Sequence, residues 1–270
     1  MNIIGQRRLL NIIESYYNKN SLPKTLMFIG PLGCGKHTIT KFIANKFELD
    51  FVEIDESVSA EDLDNYLYST IDTMYLIDLS KFQEKQQNQF LKFIEEPSKS
   101  VYVTLISNSE SGILNTVLNR CTKHYFDEYT KDQIEQIMNT TVDGFAFEIF
   151  KTPGKLLSLT NDSFKDIIEL ANNIIHNIDK YKYSDALANS TKINYKDLYN
   201  KVDFNLFFDA IEYLALDDFK KTGSKQSLLV FTMSNKFKQY ATQANIIKEA
   251  LMLNYLTTLW EAIQNDISRT

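Results

Sequence analysis

Apolar residues at positions 3, 4, 9, 10, 12, 13, 16 and 17 recur at helical spacing and predict a helix from Ile3 to Asn18. The run Thr25–Ile29 is short, wholly apolar apart from its first residue, and ends at Gly30, which predicts a strand. Ile39, Phe42, Ile43 and Phe47 predict the helix that follows. Phe51–Ile54 reads as a strand, Leu63–Tyr68 as a helix, and Met74–Ile77 as a strand buried on both faces. Gln83–Glu96 reads as one strong helix stopped by Pro97, and Val101–Ser107 as another strand. Strands alternating with helices imply a parallel sheet covered on both faces, an α/β domain expected over residues 1–127. Beyond Tyr129 the pattern is mostly helical. A small helical domain is expected over 128–187 and, after the polar stretch Asn189–Asn194, a second all-α domain over 188–270. Its last helix, Ala244–Ile263, carries Ile246, Ile247, Ala250, Leu251, Leu253, Leu256, Leu259, Trp260 and Ile263, a wide apolar face expected in a bundle core.

Composition narrows the classes. With 44% hydrophobic and 24% charged residues the chain is not globally disordered, and 8 Gly and 4 Pro imply short connections. Two cysteines cannot build a disulfide framework or a four-cysteine zinc site, so no zinc is expected, and the thiols suit a reducing, cytoplasmic setting. No apolar run has the length of a membrane span, and residues 1–8 carry no signal-type apolar stretch. A net charge of −6 argues against a surface that coats nucleic acid. The charge is uneven: residues 1–50 hold 7 basic and 3 acidic side chains, residues 51–150 hold 7 and 18.

The strongest chemical signal is Gly30-Pro31-Leu32-Gly33-Cys34-Gly35-Lys36-His37-Thr38, lying after a strand and opening a helix. That is the context of a P-loop, in which glycines let backbone N–H groups wrap phosphates and Lys36 reaches the terminal phosphates. The residue after the lysine should be Ser or Thr, whose hydroxyl ligates magnesium, and here it is His37. Thr38 is one residue further on, about 100° round the helix, and does not replace it. Asp78 ends the strand of Met74–Ile77 as in a Walker B element, but Leu79 stands where hydrolysing relatives carry a water-orienting Glu. Both losses point to ATP bound without turnover, with weak magnesium binding at most.

Further segments fall in one order: Ile3-Ile4-Gly5-Gln6; Gln87 to Lys92 and on to Glu95-Glu96-Pro97; Leu105-Ile106-Ser107-Asn108; Asn119-Arg120-Cys121; and Thr152-Pro153-Gly154-Lys155. The series resembles the clamp-loader AAA+ proteins, namely the bacterial DNA polymerase III delta-prime and gamma/tau subunits and the replication factor C small subunits. The likeness covers most of residues 1–160 and is nearest to delta-prime. It implies a AAA+ sheet domain, a helical lid and a helical collar that builds a hetero-oligomeric ring with other clamp-loader subunits. Position by position, it implies that Asn108 is sensor 1, that Lys155 is the sensor 2 basic residue, and that Arg120 reaches the ATP of the neighbouring subunit. Gln87 and Lys92 would lie on the helix that relays DNA binding to the nucleotide site. The ring would open a sliding clamp and place it on primer-template DNA during replication, in the cytoplasm. The zinc insert of typical delta-prime chains is missing, since Asp78 follows Lys36 by only 42 positions.

Taken singly, the same residues have plainer readings. Asn108 could be a turn residue, Arg120 could pair with Asp127 or Glu128, and Lys155 could start a helix. Cys121, His124 and His176 read as structural. The rivals to a hydrolysis-silent subunit are an active AAA+ motor or remodelling ATPase, a P-loop small-molecule kinase, and an adaptor that uses the helical collar for a non-replicative partner.

Overall fold

The structure is a computed structural model that describes residues 3–159, 161–178, 203–241 and 247–267. Five strands form one sheet: β1 Thr25–Ile29, β2 Asp50–Ile54, β3 Thr73–Asp78, β4 Val101–Ser107 and β5 Thr122–Tyr125. The order is β2-β3-β4-β1-β5 and every pairing is parallel. Strands β1, β3 and β4 are buried almost throughout, as expected of central strands packed on both faces. The connections hold α1 Arg7–Asn18, α2 Lys36–Lys46, α3 Ala60–Leu67, α4 Glu84–Gln87, α5 Leu91–Glu95 and α6 Asn115–Leu118. Met27, Tyr75, Ile77, Phe90, Phe93, Val103, Leu105 and Val117 lie in one core on one side of the sheet.

Three elements depart from the sequence pattern. Helix α1 begins at Arg7, because Gly5 and Gln6 take left-handed backbone and serve another purpose. The buried Gln6 amide donates to Asp127 O at 2.7 Å and accepts from Asp127 N at 2.8 Å, tying this segment to the chain just beyond β5. The helix expected over Gln83–Glu96 is split into α4, a 3-10 turn at Asn88–Phe90, and α5. The split accompanies burial of Gln87, whose side chain donates to Gly112 O at 2.8 Å and accepts from Leu114 N at 3.0 Å. Strand β5 was not anticipated. It is a four-residue edge strand with a single inward side chain, His124, too short for alternation to be legible.

The described residues divide into two compact units, Met1–Val142 with Lys151–Leu157, and Asp143–Phe150 with Ser158–Thr270. Helix α7 Lys131–Met138 and all but the last residue of α9 Pro153–Ser158 fall in the first, α8 Gly144–Phe150 and α10 Asn161–Asn177 in the second. The expected boundary at 127/128 therefore does not coincide with this division, and the one at 187/188 lies outside the described residues. The second unit also holds α11 Phe204–Thr222, α12 Lys225–Ala241 and α13 Lys248–Ile267. Asp203 caps α11 through the N–H groups of Asn205 and Leu206, and Gly223 ends it in left-handed backbone. The fully buried Tyr255 of α13 packs against Phe207, Phe208 and Phe237 and shares a 2.7 Å hydrogen bond with Ser234. The buried face of α13 is Leu251, Met252, Tyr255, Leu256, Leu259 and Ile263. Ile247 and Leu253, expected on that face, are exposed, and Ile246 lies outside the described residues.

Candidate nucleotide-binding site

The loop Gly30–Gly35 leaves the C-terminal end of β1, which lies between β4 and β5, where the strand order reverses. Ligands of open parallel sheets bind at such a reversal. β4 is adjacent to β1 and β3 to β4, so Asn108, just after β4, and Asp78, the last residue of β3, share this end of the sheet. Gly33 and Gly35 have φ of 81° and 95°, backbone that a side chain disfavours, and α2 starts at Lys36.

Every carbonyl from Gly30 to Cys34 has a donor within the chain. The Lys36 ammonium donates to Gly30 O and to Pro31 O, the latter at 3.0 Å. Thr152 Oγ1 donates to Leu32 O at 2.9 Å, Gly154 N to Gly33 O at 2.9 Å, and Tyr129 Oη to Cys34 O at 2.9 Å. Gly33 and Gly154 meet main chain to main chain: a Cβ on Gly154 would lie 2.7 Å from Gly33 Cα.

Lys36 also donates to Asn108 Oδ1 at 3.2 Å, so the lysine that opens α2 and the residue just after β4 meet. Burial holds Lys36 below the usual lysine range. The charges of Cys34 and Asp78 oppose this, and Lys155 adds to it. The structure thus gathers Gly30, Pro31, Gly33, Gly35, Lys36, Asn108 and Lys155, with Asp78 near enough for its charge to act on the lysine.

The remaining candidates are engaged otherwise. His37 Nε2 is bonded to Glu53 on β2 at 2.8 Å, and its ring meets Phe51 edge-on. Thr38 is exposed on α2. Asp78 Oδ1 accepts from Ser80 N at 3.0 Å and Ser80 Oγ at 2.6 Å, capping a 3-10 turn. Leu79 is 2% exposed and belongs to the core. The loop glycines and Lys36 fit a polyphosphate. The residues at the magnesium position do not fit that ion, because an imidazole held by a carboxylate replaces the hydroxyl.

Arg120 is exposed and outside this cluster. It pairs with Glu95, not with Asp127 or Glu128. Lys92 pairs with Asp64 at 2.6 Å. His124 is buried against Phe28 and Tyr16, and burial pulls its pKa down. Cys121 is half-buried and its thiol is pushed up to about 12 by burial. Glu53 and Tyr129 were not singled out in the sequence, and Glu95 and Thr152 entered only as members of longer motifs, with no contact assigned to them. Their partners lie 16 to 120 positions away, and no local spacing marks them.

The parallel sheet, the glycine loop at the strand reversal, and the lysine–asparagine contact define a P-loop protein of the AAA+ class. Sequence comparison carries this further. Residues 67–130 match the family model described as DNA polymerase III, delta subunit. The chain is 23% identical over 90% of its length to DNA polymerase III subunit gamma/tau of Mycoplasma genitalium, covering 48% of that protein. It is 23% identical over 69% of its length to the tau/gamma subunit of Haemophilus influenzae, covering 32% of that protein. The chain is similar to clamp-loader AAA+ proteins over most of its length and spans about half, or less, of the length of these curated relatives. Among solved structures, a DNA polymerase III gamma subunit-related protein from Thermotoga maritima aligns over 92% of this chain and 98% of its own, with 12% identity and a TM-score of 0.49. Among the described residues no helix is long and apolar enough to cross a membrane.

Proposed function

We propose that this chain is a clamp-loader subunit of the DNA replication machinery, of the delta-prime kind, working in a hetero-oligomeric ring without hydrolysing ATP itself. The ring would open a sliding clamp and seat it on primer-template DNA. Bound ATP would supply a triphosphate for the loop N–H groups and Lys36 to hold. The observation that carries the silent reading is the state of the two reacting positions. His37 is paired with Glu53, and the apolar Leu79 is buried beside Asp78. The imidazole is a poor ligand for magnesium, and Leu79 cannot orient an attacking water. Arg120, exposed on the sheet unit, is the group this chain would give to a neighbour's ATP. An arginine supplied in trans stabilises charge on the transferring phosphoryl group and is worth roughly 10³–10⁵ in rate.

Two measurements test this together. The purified chain, wild type or His37→Thr, should turn over no ATP with magnesium present, because Leu79 remains. In the complex isolated through a tag on this chain, Arg120→Ala should lower ATPase at least tenfold while the subunit stays folded and incorporated. Wild-type turnover by the chain alone, abolished by Lys36→Ala, would instead make it a motor subunit.

A further inference from the structure

We infer that Glu95 is a positioning residue that aims Arg120 at the neighbouring subunit's phosphates. This rests on the arginine-finger reading above. Arg120 lies two residues past the end of α6, and its backbone N–H bonds Val117 O at 3.1 Å. Its side chain is held twice. Nε pairs with the carboxylate of Glu95, the last residue of α5, and Nη1 donates to Thr116 O of α6 at 2.7 Å. Two acceptors from two separate elements, bonded to two different nitrogens, fix the plane of a rigid guanidinium. Neither contact uses Nη2. Glu95 is the last residue of α5, and Pro97 restricts the backbone of Glu96 between them.

A long arginine on an exposed surface otherwise samples many rotamers, and each productive encounter then carries an ordering cost. Side chains of Arg120 and Glu95 that are 39% and 38% exposed form a pair too wet to add much stability, but well placed to restrict direction. A carboxylate beside the guanidinium could also do the opposite and compete with phosphate for it. A helix cap on α6 is a third role, and it would show in stability alone.

The test uses the complex isolated through a tag on this chain, carrying Glu95→Ala, Glu95→Gln, Arg120→Ala, or Glu95→Ala with Arg120→Ala. Positioning predicts that Glu95→Ala lowers kcat about three- to tenfold with KM within about twofold, since the contact acts on the transition state. Glu95→Gln, which still accepts a hydrogen bond, should recover part of the rate. The double variant should be no slower than Arg120→Ala alone, because the glutamate acts only through the arginine. An unchanged or raised kcat in Glu95→Ala, beside a slow Arg120→Ala, overturns the inference and leaves the finger reading standing. Additive losses in the double variant also overturn it. An Arg120→Ala complex as fast as wild type removes the finger reading, and the inference with it.

Discussion

Gly33 and Gly154 stand where two stretches of main chain approach as closely as peptide geometry allows. A methyl group on Gly154 would meet backbone atoms of Gly33 at 2.7 and 2.9 Å, and backbone cannot swing aside as a side chain tip can. Gly154→Ala should therefore destabilise the sheet unit by about 2 kcal/mol, as overpacking does. Gly144→Ala, where a Cβ meets nothing within 4 Å, should be neutral or stabilising by up to about 1 kcal/mol. Urea denaturation of the two variants beside wild type decides it, and equal midpoints would show that the glycine contact yields. At this scale the sequence was informative where residue type alone carries chemistry. Lys36, Asn108 and the loop glycines converge as their motifs implied. The partners of His37 and Arg120 were illegible, because Glu53 and Glu95 reach them through the fold and each looks like an ordinary surface acid.

The elements follow from their apolar patterns wherever burial is on both faces, as in β1, β3 and β4. They were misjudged where a polar side chain is used inside the fold. Gln87 is buried in backbone contacts and its helix breaks there, while Gln6 gives up helical backbone to bond Asp127. In the helical unit, Lys238 of α12 pairs at 2.9 Å with Asp209 and also with Glu212, neighbours on one face of α11. Burial opposes the lysine's charge, but the two carboxylates overcome it and its pKa is raised. A lysine that keeps its proton longer when folded stabilises fully below the unfolded value, and that contribution is lost as pH rises through the folded value. Stability should thus fall above about pH 10.5, the unfolded lysine value. Buried Tyr255, whose pKa is also pushed up by burial, titrates in the same direction. Lys238→Met isolates the lysine. It should cost about 2 kcal/mol at pH 7, since two buried carboxylates lose their cation, and the gap to wild type should close as pH rises. A pH-independent gap in thermal denaturation would contradict this.

For the molecule as a whole, the alternation of strands and helices was enough to establish the parallel sheet and the helical C-terminal region. The grouping of α7 and α9 with the sheet was not legible, because the bonds from Tyr129 and Thr152 to the loop connect residues 95 and 120 positions apart. Charge is a whole-molecule property as well. With a net charge of −6 and an acidic excess over residues 51–150, the isolated chain lacks the basic field that drives nonspecific binding. Fluorescence anisotropy with primed DNA at 150 mM salt should give a Kd weaker than about 10 μM. Tighter, salt-dependent binding would mean that the lysines near the N-terminus act without partners.

The loop whose five carbonyls are all satisfied has a consequence for how such a protein changes over generations. Its shape is maintained mostly by main chain, Tyr129, Thr152 and Lys36, none of which is the group that would hold magnesium or activate water. Inheritance of form is thereby separated from inheritance of catalysis. With His37 and Leu79 where a hydroxyl and a glutamate would serve catalysis, the loop still closes on its own carbonyls.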